Sequence, residues 1–143
     1  MKINKSLLVF VVILSVILMS GYIYMREDRA TSQHIVPYKD ITVQEAKAMI
    51  DNNKDVLILD VRTEAEFAQG HLDEAINIPH FDIEERYKEL NIDKSKPIIT
   101  ICTMGGRSKL AAERLSKLEF TNVSNMVGGL NEWYKVYGES NYG

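Results

Sequence analysis

The chain has 143 residues, 26% charged and 45% apolar, with 17 Lys and Arg against 20 Asp and Glu for a net charge of −3. That length suits one domain, and the charge gives no basic footprint for nucleic acid. The single cysteine, Cys102, excludes a disulfide scaffold and a dithiol redox motif, while 8 Gly and 3 Pro exclude a collagen-like or disordered chain.

Residues 7–24 (LLVFVVILSVILMSGYIY) run without a charge, broken only by Ser15, Ser20 and Gly21. A helix of this length just crosses about 30 Å of hydrocarbon at 1.5 Å per residue. Lys2 and Lys5 precede it, and Arg26, Glu27, Asp28 and Arg29 cancel after it. The positive-inside rule then predicts a transmembrane helix with a cytoplasmic N-terminus and an extracytoplasmic remainder. A cleaved signal peptide has the same order of charge and apolar run and would make the domain secreted. Met19-Ser20-Gly21-Tyr22 is a poor cleavage site, and no cysteine near position 20 marks a lipoprotein. A buried core helix is the third reading, although core helices rarely run so long without a polar face. Residues 1–25 are thus read as anchor or signal segment, 26–34 as a polar linker and 35–143 as the folded domain. From Gln33 onward, 13 Lys and Arg stand against 18 Asp and Glu, a charge of −5.

Within the domain, Thr42-Val-Gln-Glu45 is a capping box that opens an amphipathic helix over Val43, Ala46, Met49 and Ile50, closed by Asn52-Asn53. Residues 56–61 (VLILDV) are a continuous apolar run, the mark of a strand buried on both faces. Thr63-Glu-Ala-Glu66 is a second capping box, and Gly70 ends its short helix. Residues 75–78 form a short strand stopped by Pro79, and 82–90 a polar helical stretch. Residues 97–102 (PIITIC) are a second buried strand, Leu110, Ala111, Leu115 and Leu118 a helical stripe, 122–127 a further strand, and 131–137 a last helix carrying Trp133. Apolar strands alternating with amphipathic helices predict an α/β fold with a parallel sheet covered on both faces. Ligands bind such sheets at the carboxyl ends of the strands, where Cys102 falls.

Four features converge on Cys102-Thr-Met-Gly-Gly-Arg-Ser108. Gly105 and Gly106 allow a tight turn with several N–H groups pointing inward. The following helix brings about half a positive charge. Arg107 adds a planar cation suited to an oxyanion. Between 102 and 117, Arg107, Lys109, Arg114 and Lys117 face only Glu113, a local +3. Such a setting lowers a thiol's pKa and makes it a nucleophile, and the same donors would hold an anionic substrate. The competing reading is an inert cysteine buried at the end of a core strand. His34, His71 and His80 show no metal-ligand spacing with one another or with Cys102.

These residues carry a resemblance. Asp60-Val-Arg62, Glu66-Phe67, Gly70-His71 and Ala75-Ile-Asn-Ile-Pro79, with Cys102-x-x-Gly105-x-Arg107-Ser108 and then Gly128-Gly129 and Trp133, resemble the rhodanese-homology, or sulfurtransferase, family over about residues 37–137. The resemblance implies a rhodanese-like fold with a central parallel sheet of about five strands. It also implies ping-pong sulfur transfer without a cofactor. Cys102 thiolate would take the outer sulfur from a small anionic donor such as thiosulfate, hold it as a persulfide and pass it to a thiol, cyanide or a protein sulfur acceptor. Thr103, Met104, Gly105, Gly106, Arg107 and Ser108 would bind the substrate. A persulfide carrier or sensor working with a protein partner is the alternative. Related phosphatases have Cys-x5-Arg; here the spacing is Cys-x4-Arg and position 108 is Ser. Asp60, Arg62, Glu66 and His71 read as structural support, an ion-pair network near the site. Trp133, Tyr134 and Tyr137 read as packing, and Glu113 as an i,i+4 partner of Lys109 and Lys117. The family often has Gly where Glu74 stands, which costs about 1 kcal/mol if that turn needs a positive φ.

Overall fold

The computed structural model describes residues 5–30, 37–53 and 55–138. Two units divide at residue 34. The first contains helix α1 (Lys5–Ala30). Its apolar side chains over residues 9–23 are exposed. Ser15 and Ser20 donate their hydroxyls to the carbonyls of Val12 and Ile17 on their own helix, at 2.8 and 2.9 Å. Among the described residues no helix is long and apolar enough to cross a membrane. Of the expected 26–34 linker, residues 26–30 continue α1, and residues 31–34, His34 among them, lie outside the described residues.

The second unit is a five-stranded, fully parallel sheet in the order β1-β5-β4-β2-β3, from β1 (Lys39–Ile41), β2 (Leu57–Asp60), β3 (Ile76–Asn77), β4 (Ile98–Ile101) and β5 (Val123–Met126). β2 and β4 lie inside the sheet, and every residue of both is buried, as runs that are apolar except for Asp60 and Thr100 predict. β1 was not foreseen: three residues with one buried side chain, Ile41, leave no period to read. It is recruited by β5, pairing Asp40 with Asn125 and Ile41 with Met126.

Leu57, Leu59, Ile98 and Val123 face α4 (Ile83–Arg86) and α5 (Gly106–Lys117), which contribute Ile83, Ala111, Ala112 and Leu115. Ile58, Ile99, Ile101 and Met126 face α2 (Val43–Asn52) and α6 (Gly129–Tyr137), which contribute Val43, Ala46, Leu130 and Trp133. Burying both faces of one parallel sheet uses the period-two alternation of strand side chains to make two cores. Both capping boxes form, with Thr42 and Thr63 accepting from the backbone of Glu45 and Glu66. The 82–90 stretch is one turn of α4 followed by a 3-10 turn. The ion pairs expected of Glu113 with Lys109 and Lys117 are not formed among the described residues; Glu113 instead accepts from the Tyr38 hydroxyl at 3.4 Å, because α5 turns this face toward the segment leading into β1.

Glu74 adopts φ 62°, the left-handed conformation anticipated for that turn. Glu74→Gly is therefore expected to raise stability by about 0.5–1 kcal/mol, read as a higher urea midpoint with an unchanged slope. An unchanged or lower midpoint would contradict the assigned strain.

Candidate active site

β4 delivers Cys102 to the carboxyl edge of the sheet, between the ends of β2 and β5. The chain then reverses within three residues. Gly105, at φ 95°, caps α5, and a Cβ there would lie 3.1 Å from the Gly128 nitrogen. The helix starts at Gly106, inside the expected loop, so Arg107 and Ser108 belong to its first turn. The carbonyls of Cys102 and Thr103 are engaged by the first free N–H groups of α6, from Leu130 at 2.8 Å and Asn131 at 3.0 Å. This tethers the outer side of the loop and leaves the following amides facing the sulfur.

Cys102 is 2% exposed. The Gly105 N–H donates to its Sγ at 3.1 Å, and the Ser108 hydroxyl lies 3.4 Å away. Burial pushes the thiol pKa up, but the Ser108 hydroxyl and the amides of Ser108, Met104 and Gly105 outweigh it, and the net shift is downward. Donors held in place by a helix N-terminus favour the charged sulfur over the neutral one. Because only the thiolate reacts, alkylation of Cys102 should reach half its maximal rate at a lower pH than an ordinary cysteine. A pH profile centred on or above the ordinary thiol value would refute this.

Arg107 uses its guanidinium differently from the sequence expectation. Both terminal nitrogens donate to Glu66 at 2.7 Å, and one also donates to Thr103 Oγ1 at 3.0 Å. Glu66 is the residue that closes the Thr63 capping box, so one carboxylate joins α3 (Glu64–Ala68) to the Cys102 loop. The Arg107 contact, reinforced by Thr63, holds that carboxyl well below the usual carboxylate range. The fork assigned to an anion is thus engaged by a carboxylate of the same chain, and Arg107 braces the loop.

The expected support residues separate into three groups. Asp60 and Arg62 form a buried pair of their own, with Arg62 Nε 2.9 Å and one terminal nitrogen 2.7 Å from Asp60 Oδ2; that nitrogen also donates to the Gly70 carbonyl. Glu66 belongs with Arg107 instead. His71 stays on its own segment, its ring stacked on Phe67 at 3.8 Å and its Nδ1 3.0 Å from the Phe67 carbonyl. Thr103 and the amides of Met104, Gly105 and Ser108 do converge on the loop, while the Met104 side chain is 73% exposed. Trp133 is buried against Tyr137, ring centroids 5.0 Å apart. His80, weighed in the sequence only as a metal ligand, accepts at its carbonyl from Arg114 on α5; burial and then Arg114 and Arg107 depress its pKa. Among the described residues no cluster of His, Cys, Asp or Glu could hold a metal ion.

Sequence reasoning missed Asp40 and Asn125, which extend the polar contacts of Ser108 into the sheet. The available signal was Ser124-Asn125 inside a buried strand, since buried polar side chains need partners.

The profile of the rhodanese-like domain family matches residues 42–136. YrkF of Bacillus subtilis, whose name proposes a sulfur carrier, is 32% identical over 103 residues, covering 72% of this chain and 55% of that protein. A sulfurtransferase of Allochromatium vinosum is 32% identical over 94 residues, covering 66% of this chain and 86% of that protein. The crystal structure of a rhodanese-like domain protein from Staphylococcus aureus superposes with a TM-score of 0.63 at 30% identity, covering 73% of this chain and 96% of that one. The chain spans about half the length of YrkF.

Proposed function

The chain belongs to the rhodanese-like domain family, and from that membership we propose that it is a sulfurtransferase working through a Cys102 persulfide. The observation that carries the reading is one buried sulfur, without a second cysteine, among inward-facing amides at a helix N-terminus. Cys102 thiolate attacks the outer sulfur of an anionic donor such as thiosulfate. A sulfur–sulfur bond forms, the donor's own sulfur–sulfur bond breaks, and sulfite departs with that electron pair. The amides that favoured the thiolate then face the persulfide. An acceptor thiolate or cyanide takes the outer sulfur, and Cys102 leaves as thiolate. No general base is needed because the nucleophile is already ionised. The Cys-x4-Arg spacing with Ser108 disfavours phosphate chemistry, as the ring is one residue shorter than the phosphatase ring the resemblance implies.

The second reading, a persulfide carrier acting on a protein partner, draws on two exposed apolar side chains beside the loop. Met104 is 73% and Val127 50% exposed, and Gly105 packs against the Val127 backbone. We further propose that residues 7–24 anchor the chain in a membrane with the domain outside the cytoplasm. Their apolar sequence and the two serine hydroxyls bonded within α1 support this, since lipid offers no partner to a free hydroxyl.

Intact mass of the protein recovered from membranes, before and after thiosulfate, tests both proposals. A gain of one sulfur atom on Cys102 supports the persulfide, and a full-length N-terminus supports the anchor. An unchanged mass after thiosulfate, or recovery only in the aqueous fraction, overturns the respective proposal. Multiple turnover with cyanide then separates the transferase from a carrier, which would load once and stop.

A further inference from the structure

The Ser108 hydroxyl has one proton and three acceptors within reach. Asn125 Oδ1 is 2.7 Å away, the Gly105 carbonyl 3.1 Å and Cys102 Sγ 3.4 Å. Ser108 and Asn125 are 0% and 3% exposed, so water does not substitute for a missing partner. The orientation of the Asn125 amide follows from its other neighbour. Its Nδ2 is 2.8 Å from Asp40 Oδ1, and a carboxylate only accepts. The NH2 end must therefore face Asp40, and the carbonyl end must face Ser108. Asp40 and Asn125 are register partners on β1 and β5, so the backbone ladder holds this geometry.

We propose that Asn125, oriented by Asp40, is a positioning residue that competes with the Cys102 sulfur for the Ser108 proton and so sets how readily that sulfur ionises. With Cys102 protonated, its S–H points to Ser108 Oγ while Ser108 donates to Asn125, and every group has a partner. With Cys102 ionised, Ser108 turns its proton to the sulfur and the buried Asn125 carbonyl loses its donor. The strand pair thus opposes part of the acidity that the loop amides create. A thiol with pKa near ambient pH is the best attacker, while a more acidic one leaves faster; a sulfur that must do both gains from a tempered value. The inference rests on the sulfur-transfer reading for its purpose, but its test uses no sulfur donor.

The experiment titrates the Cys102 thiolate by ultraviolet absorbance, with alkylation rate as a second readout, in the full chain. Asn125→Ala and the bulkier apolar Asn125→Leu should each lower the thiol pKa by about 0.5–1 unit. In a Ser108→Ala background the same substitutions should move it by less than about 0.2 unit, because the proton in dispute is gone. Asp40→Ala, at an exposed position, avoids altering the core. It frees the amide to turn, and its downward shift should be larger with Ser108 than without; the remainder is the lost negative charge. The other charged and titratable groups around Cys102 stay unaltered throughout: Arg107 on α5 with Glu66 from α3, Asp60 and Arg62 at the end of β2, and His80 after β3. No shift, an upward shift, or a shift undiminished by Ser108→Ala would overturn the proposal. Sulfite release by the wild-type protein is scored separately, so failure here leaves the transferase reading standing.

Discussion

Cys102→Ser should lose sulfur transfer from thiosulfate to cyanide by about a thousand-fold or more while remaining folded. The loss follows from the nucleophile: a serine hydroxyl is not ionised near neutral pH, and no other sulfur in this chain could take its place, since Cys102 is the only cysteine. The fold should survive because Ser is smaller and its oxygen can accept from the Gly105 amide that now meets Sγ. The thermal transition should shift only slightly, and sulfite release is the decisive measurement. Turnover within about tenfold of wild type would remove Cys102 from the chemistry, whatever the state of the fold.

Gly129→Ala should be the most damaging substitution among the glycines around the Cys102 loop. Its φ is +59°, and an added Cβ would lie 2.4 Å from the Cys102 carbonyl oxygen, 2.7 Å from the Met104 nitrogen and 2.7 Å from the Thr103 carbonyl carbon. These are backbone atoms of the reactive loop, so they yield only if the loop moves. Left-handed backbone and overpacking together should cost about 2–4 kcal/mol. Displacing the tethers from Leu130 and Asn131 should lower transfer about a hundred-fold, the scale expected of a displacement near 1 Å. Gly106→Ala is the contrast. It has ordinary φ and nothing within 4 Å of an added Cβ, so it should keep both stability and transfer. Denaturation midpoints and sulfite release of the two variants, measured side by side, check this. Equal behaviour would mean the loop is not held by α6.

Much of the fold was legible because its signals are local. The runs at 56–61 and 97–102 are apolar except for Asp60 and Thr100, a pattern that suits a strand covered on both faces, and they became β2 and β4. Thr42 with Glu45 and Thr63 with Glu66 announced two helix starts at three-residue spacing. The Cys102 loop was legible for the same reason: its glycines, its arginine and the start of the helix behind it lie within seven residues. β1 was not, because its three residues are held by pairing with β5 and carry no pattern of their own.

Charge type and spacing along the chain sufficed to nominate a nucleophilic cysteine at a helix N-terminus, but not to say which partner each polar side chain would meet. Glu66 is 41 residues from Arg107, and Asn125 is 85 from Asp40. Such pairings arise only when the parallel sheet brings distant strand ends and their following helices to one edge. Ionisation of the sulfur is decided there too, because a proton shared among Cys102, Ser108 and Asn125 goes where distance and unmet hydrogen-bond demand send it, and neither quantity exists in a linear chain.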